Sequence, residues 1–341
     1  MALSGTWSFT VVRDDIIREA MLNVGAIGES ETPTAQEVTD CARKLNMMAK
    51  QWMSSQDFAP GLKMWERQRG DLFLVSTRGQ YQLGPVQADH WAGGVTNGLP
   101  GQTYGQTQLT ANGNPAATVL SVAATSQLNV GDQIGFLITS DIYWTTILSI
   151  NSGASTVTIP APGLPALAVS SNYVWNYTFQ AQRPLAIVTC ILRDINNNDT
   201  PMNMMTVQDY EILPTKAMTS FQSDPTAYYY ESQFVTGTSN QGPGQLYLDI
   251  GGAQDVTKHL HMVYMRPIMD FNNPGDNPEY PQQWYRALCW GLSREIAGMF
   301  DAIWTQDMDQ NYRESVAMAR EADAETTSMY FQVNSGDPFS P

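Results

Sequence analysis

Near the N-terminus, apolar residues recur every three or four positions. Ile16, Ile17, Ala20, Met21 and Val24 share one helical face. Thr10 is placed to cap that helix, and Gly25 and Gly28 to end it. A second helix has a sharper start, because Thr34-Ala35-Gln36-Glu37 reads as a capping box. Val38, Cys41, Leu45, Met48 and Trp52 then form an apolar stripe running to about Ser55. Beyond it the period changes to two. Leu72 to Ser76 and Gln80 to Leu83 flank Thr77-Arg78-Gly79 and predict a short hairpin. Leu185 to Leu192 reads as a buried strand, and Thr206-Val207-Gln208-Asp209 opens a short helix ending before Pro214. Tyr228 to Val235, Gln245 to Asp249 and His259 to Arg266 read as three more strands. Helical periodicity returns after Pro281, with Trp284, Leu288, Gly291, Leu292, Met299 and Ile303 on its buried face. A last helix, from about Asp307 to Thr327, carries Met308, Tyr312, Val316 and Ala319. The segment 328–341 has no periodicity but contains the aromatics Tyr330, Phe331 and Phe339.

Charge divides this pattern. Only Asp132 and Asp141 are charged between residues 93 and 182. That stretch is rich in Gly, Thr, Ser, Asn and Val. Candidate strands are Ala117 to Val122, Gln133 to Thr139, Tyr143 to Ile150, Thr156 to Ile159 and Tyr173 to Phe179. Turn signals separate them, so residues 93–182 read as an inserted β-sandwich or barrel. The whole chain reads as α+β: a helical hairpin at each end, strands between, and an all-β insert.

The 341 residues are 43% hydrophobic, enough to bury a real core and to exclude a disordered chain. The formal net charge of −15 argues against sequence-independent nucleic-acid binding, which rests on neutralising phosphates. No apolar run is long enough to span a membrane. The start, Met1 to Gly5, has neither a basic flank nor an apolar run, so no secretory signal is expected. Three widely spaced cysteines, Cys41, Cys190 and Cys289, fit a reducing compartment better than a disulfide framework.

Catalytic chemistry finds little purchase. His259 and His261 share a strand face and could supply half of a zinc site, but no Cys or acid stands at ligand spacing nearby. Neither a Gly-x-Ser-x-Gly elbow nor a phosphate loop is present, and Gly242-Pro243-Gly244 reads as a turn. No cofactor is expected. Residues 270–341 hold twelve acids against Arg286, Arg294, Arg313 and Arg320, a net of minus eight. Asp307, Asp309, Glu314, Glu321, Asp323 and Glu325 crowd one helix and the segment after it. They read either as a solvated rim or as a wall that repels phosphates.

Both ends of the chain resemble a known family, the head-to-tail adaptor (head-completion) proteins of short-tailed bacteriophages. Ile16 to Gly25, Glu31-Thr32-Pro33-Thr34-Ala35-Gln36-Glu37, Leu45-Asn46-Met47-Met48 and Trp52 carry the N-terminal likeness. Pro225-Thr226-Ala227-Tyr228-Tyr229 carries a middle one. Met265-Arg266-Pro267, Asp270, Asp276 and Pro281 to Leu288 carry the C-terminal one. Similar proteins often have Tyr-Gly between the last two helices, where this chain has Phe300-Asp301. The resemblance implies an adaptor core in 1–92 and 183–330, a variable insert in 93–182, and a portal-binding tail in 328–341 anchored by Tyr330, Phe331 and Phe339. It implies a non-enzymatic ring, usually twelvefold, in the neck of a virion assembled in the host cytoplasm. Its partners would be other copies of itself, the portal protein, and a tail or nozzle protein. Double-stranded DNA would pass through, with the six acids above as channel-lining candidates. A tail-tube or fibre-attachment component, or a virion-associated cell-wall hydrolase, are the alternatives.

Overall fold

The computed structural model describes residues 9–54, 67–86, 88–94, 103–214, 216, 223–232, 242–252 and 255–323. The protein is mixed α+β. The described residues contain five α-helices: α1 (Arg13–Asn23), α2 (Ala35–Ser54), α3 (Val207–Glu211), α4 (Tyr285–Ile296) and α5 (Gln306–Asp323). By contacts the chain divides into two compact units, Met1–Trp65 with Ile268–Pro341, and Glu66–Pro267.

In the first unit α4 is the hub, touching α1, α2 and α5. The α2 capping box forms as its sequence requires: Glu37 N–H donates to Thr34 Oγ1 at 3.3 Å, and Thr34 N–H to Glu37 Oε2 at 2.7 Å. The first helix starts later than Thr10. It begins at Arg13, where the Asp15 carboxylate accepts the Val12 N–H at 3.2 Å. Ile16, Ile17, Met21, Leu45, Trp52, Trp284, Leu288 and Leu292 meet in one apolar core. Gly291 lets α4 approach α2 closely, because a Cβ there would stand 2.6 Å from the Trp52 ring. The two ends of the chain are also tied by polar contacts. Asn46 both donates to Phe271 O (3.2 Å) and accepts its N–H (2.9 Å), and Asn23 donates to Ser293 Oγ (3.2 Å). Between α4 and α5, Asp301 adopts φ +50°, the left-handed conformation that favours glycine and that Asp tolerates.

The described residues of the second unit form four sheets. A six-stranded sheet has the order β11-β3-β1-β17-β12-β13. Its strands are β1 (Arg67–Phe73), β3 (Trp91–Gly93), β11 (Phe179–Gln180), β12 (Ala186–Arg193), β13 (Asp199–Pro201) and β17 (His259–Met265). One face packs Leu72, Trp91, Leu260, Met262 and Tyr264 against Tyr81, Tyr228, Tyr230, Leu246 and Leu248. Those partners come from the sheet β14-β15-β16-β2, formed by β2 (Gln80–Leu83), β14 (Asn203–Met204), β15 (Ala227–Glu231) and β16 (Gly244–Leu248). The other face packs Phe73 and Ala92 against Tyr104, Trp175 and Tyr177 of the insert. Within the insert, β4 (Gly105–Gln108), β10 (Tyr173–Tyr177), β6 (Gln133–Ile138) and β7 (Asp141–Thr146) form one sheet. It closes over β5 (Val119–Ser121), β9 (Thr156–Thr158) and β8 (Ser149–Asn151) around Ile134, Phe136, Val157 and Val174.

The compact boundaries fall at 65/66 and 267/268. Charge density marks the insert, but β3 and β11 at its ends pair with each other in the six-stranded sheet, and its aromatics share a core with Phe73. The segments around Thr77-Arg78-Gly79 do not form a hairpin. β1 pairs with β3 and β17, whereas β2 pairs with β16, so the chain crosses between layers there, with Thr77 at φ +61°.

Candidate functional site

Helix α5 separates its charges by face. Thr305 caps it, its Oγ1 accepting the Met308 N–H at 3.3 Å, and Asp307 and Asp309 favour the positive end of the helix dipole. Tyr312, Ser315, Val316 and Ala319 form the buried face. Asp307, Glu314 and Glu321 are exposed and recur every seven residues, so they make one stripe on the face away from the core. Asp309 differs: it is half-buried, accepts the Trp304 Nε1–H at 3.4 Å, and pairs with Arg313 at 2.6 Å. Asp323 lies at the flank of the buried face and is also half-buried. Glu325, Tyr330, Phe331 and Phe339 lie outside the described residues.

Beside the acidic stripe is a feature that the charge sum concealed. Arg294, Arg313 and Arg320 line a groove of about 320 Å³ between α4 and α5, over a floor of Tyr312, Val316 and Ala317. Arg294 stacks on Tyr312, its guanidinium 4.9 Å from the ring centroid. Three of the four arginines of residues 270–341 therefore converge. The sequence signal was the seven-residue interval between Arg313 and Arg320, the same as that of the acids.

The two strand histidines meet an acid after all, across the sheet. Asp71 on β1 is the direct neighbour of His261 on β17. His261 Nδ1 donates to Asp71 Oδ1 at 2.7 Å, which requires the ring proton on Nδ1. Thr103 donates both its N–H (3.1 Å) and its hydroxyl (2.6 Å) to Asp71 Oδ2. His259 Nε2 lies 3.5 Å from Asp71 Oδ1 and 3.1 Å from the Tyr104 hydroxyl. All five residues are buried. Burial alone would raise the Asp71 pKa, but the His261 hydrogen bond, the nearby histidines and Thr103 together hold it below the usual carboxylate range. Burial lowers His259 to about 4. This cluster fastens the insert to the six-stranded sheet. Among the described residues no group of three His, Cys, Asp or Glu side chains could hold a metal ion.

Of the insert's two charges, Asp132 is used internally and the half-buried Asp141 binds backbone outside the insert. Asp132 is fully buried and accepts from Asn129 N–H (2.9 Å), Asn176 Nδ2 (2.8 Å) and Thr178 Oγ1 (2.8 Å). Asp141 Oδ1 accepts the Ser76 N–H at 2.7 Å. Val119, Val130, Leu148, Leu167 and Val169 stand exposed among neutral polar residues.

No protein-family model matches the chain, and no curated protein matches it. Among solved structures, VP17, a capsid protein of bacteriophage P23-77, is similar at 10% identity over 62% of this chain and 77% of its own, with a TM-score of 0.12. A likeness at that score carries no argument about fold or function. No described helix is long and apolar enough to cross a membrane.

Proposed function

We propose that this protein is a structural virion subunit: a ring-forming adaptor in the neck of a short-tailed phage, seated beneath the portal and carrying the tail. The observation that supports this reading most is the meeting of the two chain ends. The N-terminal segments of the likeness and Pro281 to Leu288, far apart in sequence, share one helical core, tied by Asn46 to Phe271 and by Asn23 to Ser293, whereas Pro225 to Tyr229 and Met265 to Pro267 belong to the β unit. Asp270 and Asp276, part of the same likeness, also have roles there: Asp270 pairs with Lys50 at 2.7 Å, and Asp276 accepts the N–H groups of Asn272 and Asn273. The motifs at the two ends of the chain thus fall in one helical unit, which supports reading them together. The ring would be built from copies of this unit, usually twelve, with DNA passing through without specific binding. Net negative charge suits such a passage, since it repels the phosphates it surrounds.

The test is to mix the purified chain with the portal protein of the same phage and to image the product by negative-stain electron microscopy. A ring added to one end of the portal is the expected result. Absence of any complex, with both proteins folded, would refute the reading.

A further inference from the structure

The arginine groove and the acidic stripe are complementary, and they lie on the same helix. We propose that, in the ring, the stripe Asp307–Glu314–Glu321 of one copy seats in the groove formed by Arg294, Arg313 and Arg320 of the next. The proposal rests on the ring reading above, and adds to it the surfaces that join the copies.

Spacing is the first support. Arg313 and Arg320 are seven residues apart, as are Glu314 and Glu321, and two helical turns rise about 10.5 Å. Copies related by rotation about an axis along α5 would set their α5 helices side by side and running the same way. Equal intervals on the two helices then match charge for charge. Position on the helix is the second support. Successive residues are about 100° apart around the axis, so Arg313 and Glu314 face different directions. The two sets are thus offered to two different neighbours, as a closed ring of head-to-tail contacts requires. Chemistry of the groove is the third support. Its floor of Tyr312, Val316 and Ala317 is apolar, and exposed Met318 flanks the stripe. Contact would bury apolar surface as well as pairing charges, so it does not depend on exposed ion pairs alone, which contribute little. Arg313 already holds Asp309, so an incoming carboxylate would extend a network.

A second copy fits the groove better than a nucleic acid does. The stripe beside the groove repels a polyanion approaching α5, and the same repulsion directs a carboxylate-bearing helix only to the arginines. The stripe then serves the joint between copies rather than the channel wall.

The test uses two full-length variants, Arg313→Glu with Arg320→Glu, and Glu314→Arg with Glu321→Arg. Association is followed by sedimentation velocity at low salt, alone and on portal. Each variant should remain unassembled where the wild type forms rings. Their equimolar mixture should form rings, because each variant's stripe then meets the groove it suits. Rings formed by either variant alone as readily as by wild type would overturn the proposal, as would a mixture that stays unassembled while both variants keep the wild-type circular dichroism. Duplex DNA binding by wild type that is lost in Arg313→Glu with Arg320→Glu, with assembly unchanged, would assign the groove to phosphates instead. Should the reversals impair folding, Arg313→Gln with Arg320→Gln replaces them. About a tenfold weaker association at low salt, vanishing at high salt, is then expected, and no weakening would overturn the proposal. Wild type that forms no ring even on portal would defeat the adaptor reading itself, a result distinct from rings that ignore these charges.

Discussion

Two carboxylates of the β unit and the acidic stripe of helix α5 are treated in opposite ways. In the β unit, Asp71 and Asp132 are buried and each accepts three or more hydrogen bonds. On α5, Asp307, Glu314 and Glu321 stand in water. A buried charge is tolerated only where its partners are complete, so the first pair belongs to the fold. An exposed stripe contributes little to the fold, so its regular spacing points outward, to what the surface meets. The uncharged insert surface follows partly from the same cause, since Asp132 is buried and the half-buried Asp141 accepts the Ser76 N–H.

The largest effect should come from cutting the insert out. Its sequence pattern predicts a dispensable domain, replaceable by a Gly-Ser linker. The structure predicts the reverse, because removal uncovers Phe73, Ala92 and His259 and strips Thr103 from Asp71. We expect insoluble product or loss of the β-sheet circular-dichroism signal. A soluble remainder with an unchanged melt would restore the dispensable reading. Next in size is Asp71→Ala, which leaves His261 and Thr103 without their acceptor and should destabilise the β unit by about 3–5 kcal/mol in urea unfolding. A loss below about 1 kcal/mol would mean that the cluster does not hold the layers together.

Acid should act on the same cluster more gently. His259 binds protons less well folded, near pH 4, than unfolded, near its ordinary value of 6.5. The unfolded chain therefore takes up more protons between those values, and stability falls as pH drops from about 6.5 to about 4. His90, lowered to about 4 by burial, adds to the same slope. The lowered Asp71 contributes a further loss only as pH falls through its own, still lower range. Urea midpoints measured across pH 4 to 7 would check the slope, and a flat profile would contradict it. The smallest effect belongs to α5: Glu314→Gln or Glu321→Gln should shift monomer stability by no more than about 0.5 kcal/mol. A larger loss would make the stripe part of the fold and erase the contrast.

Local signals carried far in this chain. The Thr34–Glu37 box, the Thr206 cap and the period-two runs around Gln133, Thr156, Gln245 and His259 each specify an element through neighbouring residues alone, and the elements form where those residues stand. Strand β4 escaped notice because Gly105-Gln106-Thr107-Gln108 has no apolar residue to show a period. The Tyr173 run splits, its first part joining the insert sheet and Phe179–Gln180 joining the central sheet. Pairing across sequence distance was the general obstacle. Asp71 lies 190 residues from His261, so no spacing rule could join them. The arginine groove was hidden in the same way, because Arg294 reaches it from another helix.

On the proposed function, copies of this chain form the ring between portal and tail. Cryo-electron microscopy of the intact particle, with symmetry imposed only along the tail axis, tests it most directly. The expected result is density matching the α1–α2–α4–α5 unit in a closed ring around the DNA path, directly beneath the portal. The same unit found in the capsid shell, in the tail fibres, or absent from the neck would contradict it.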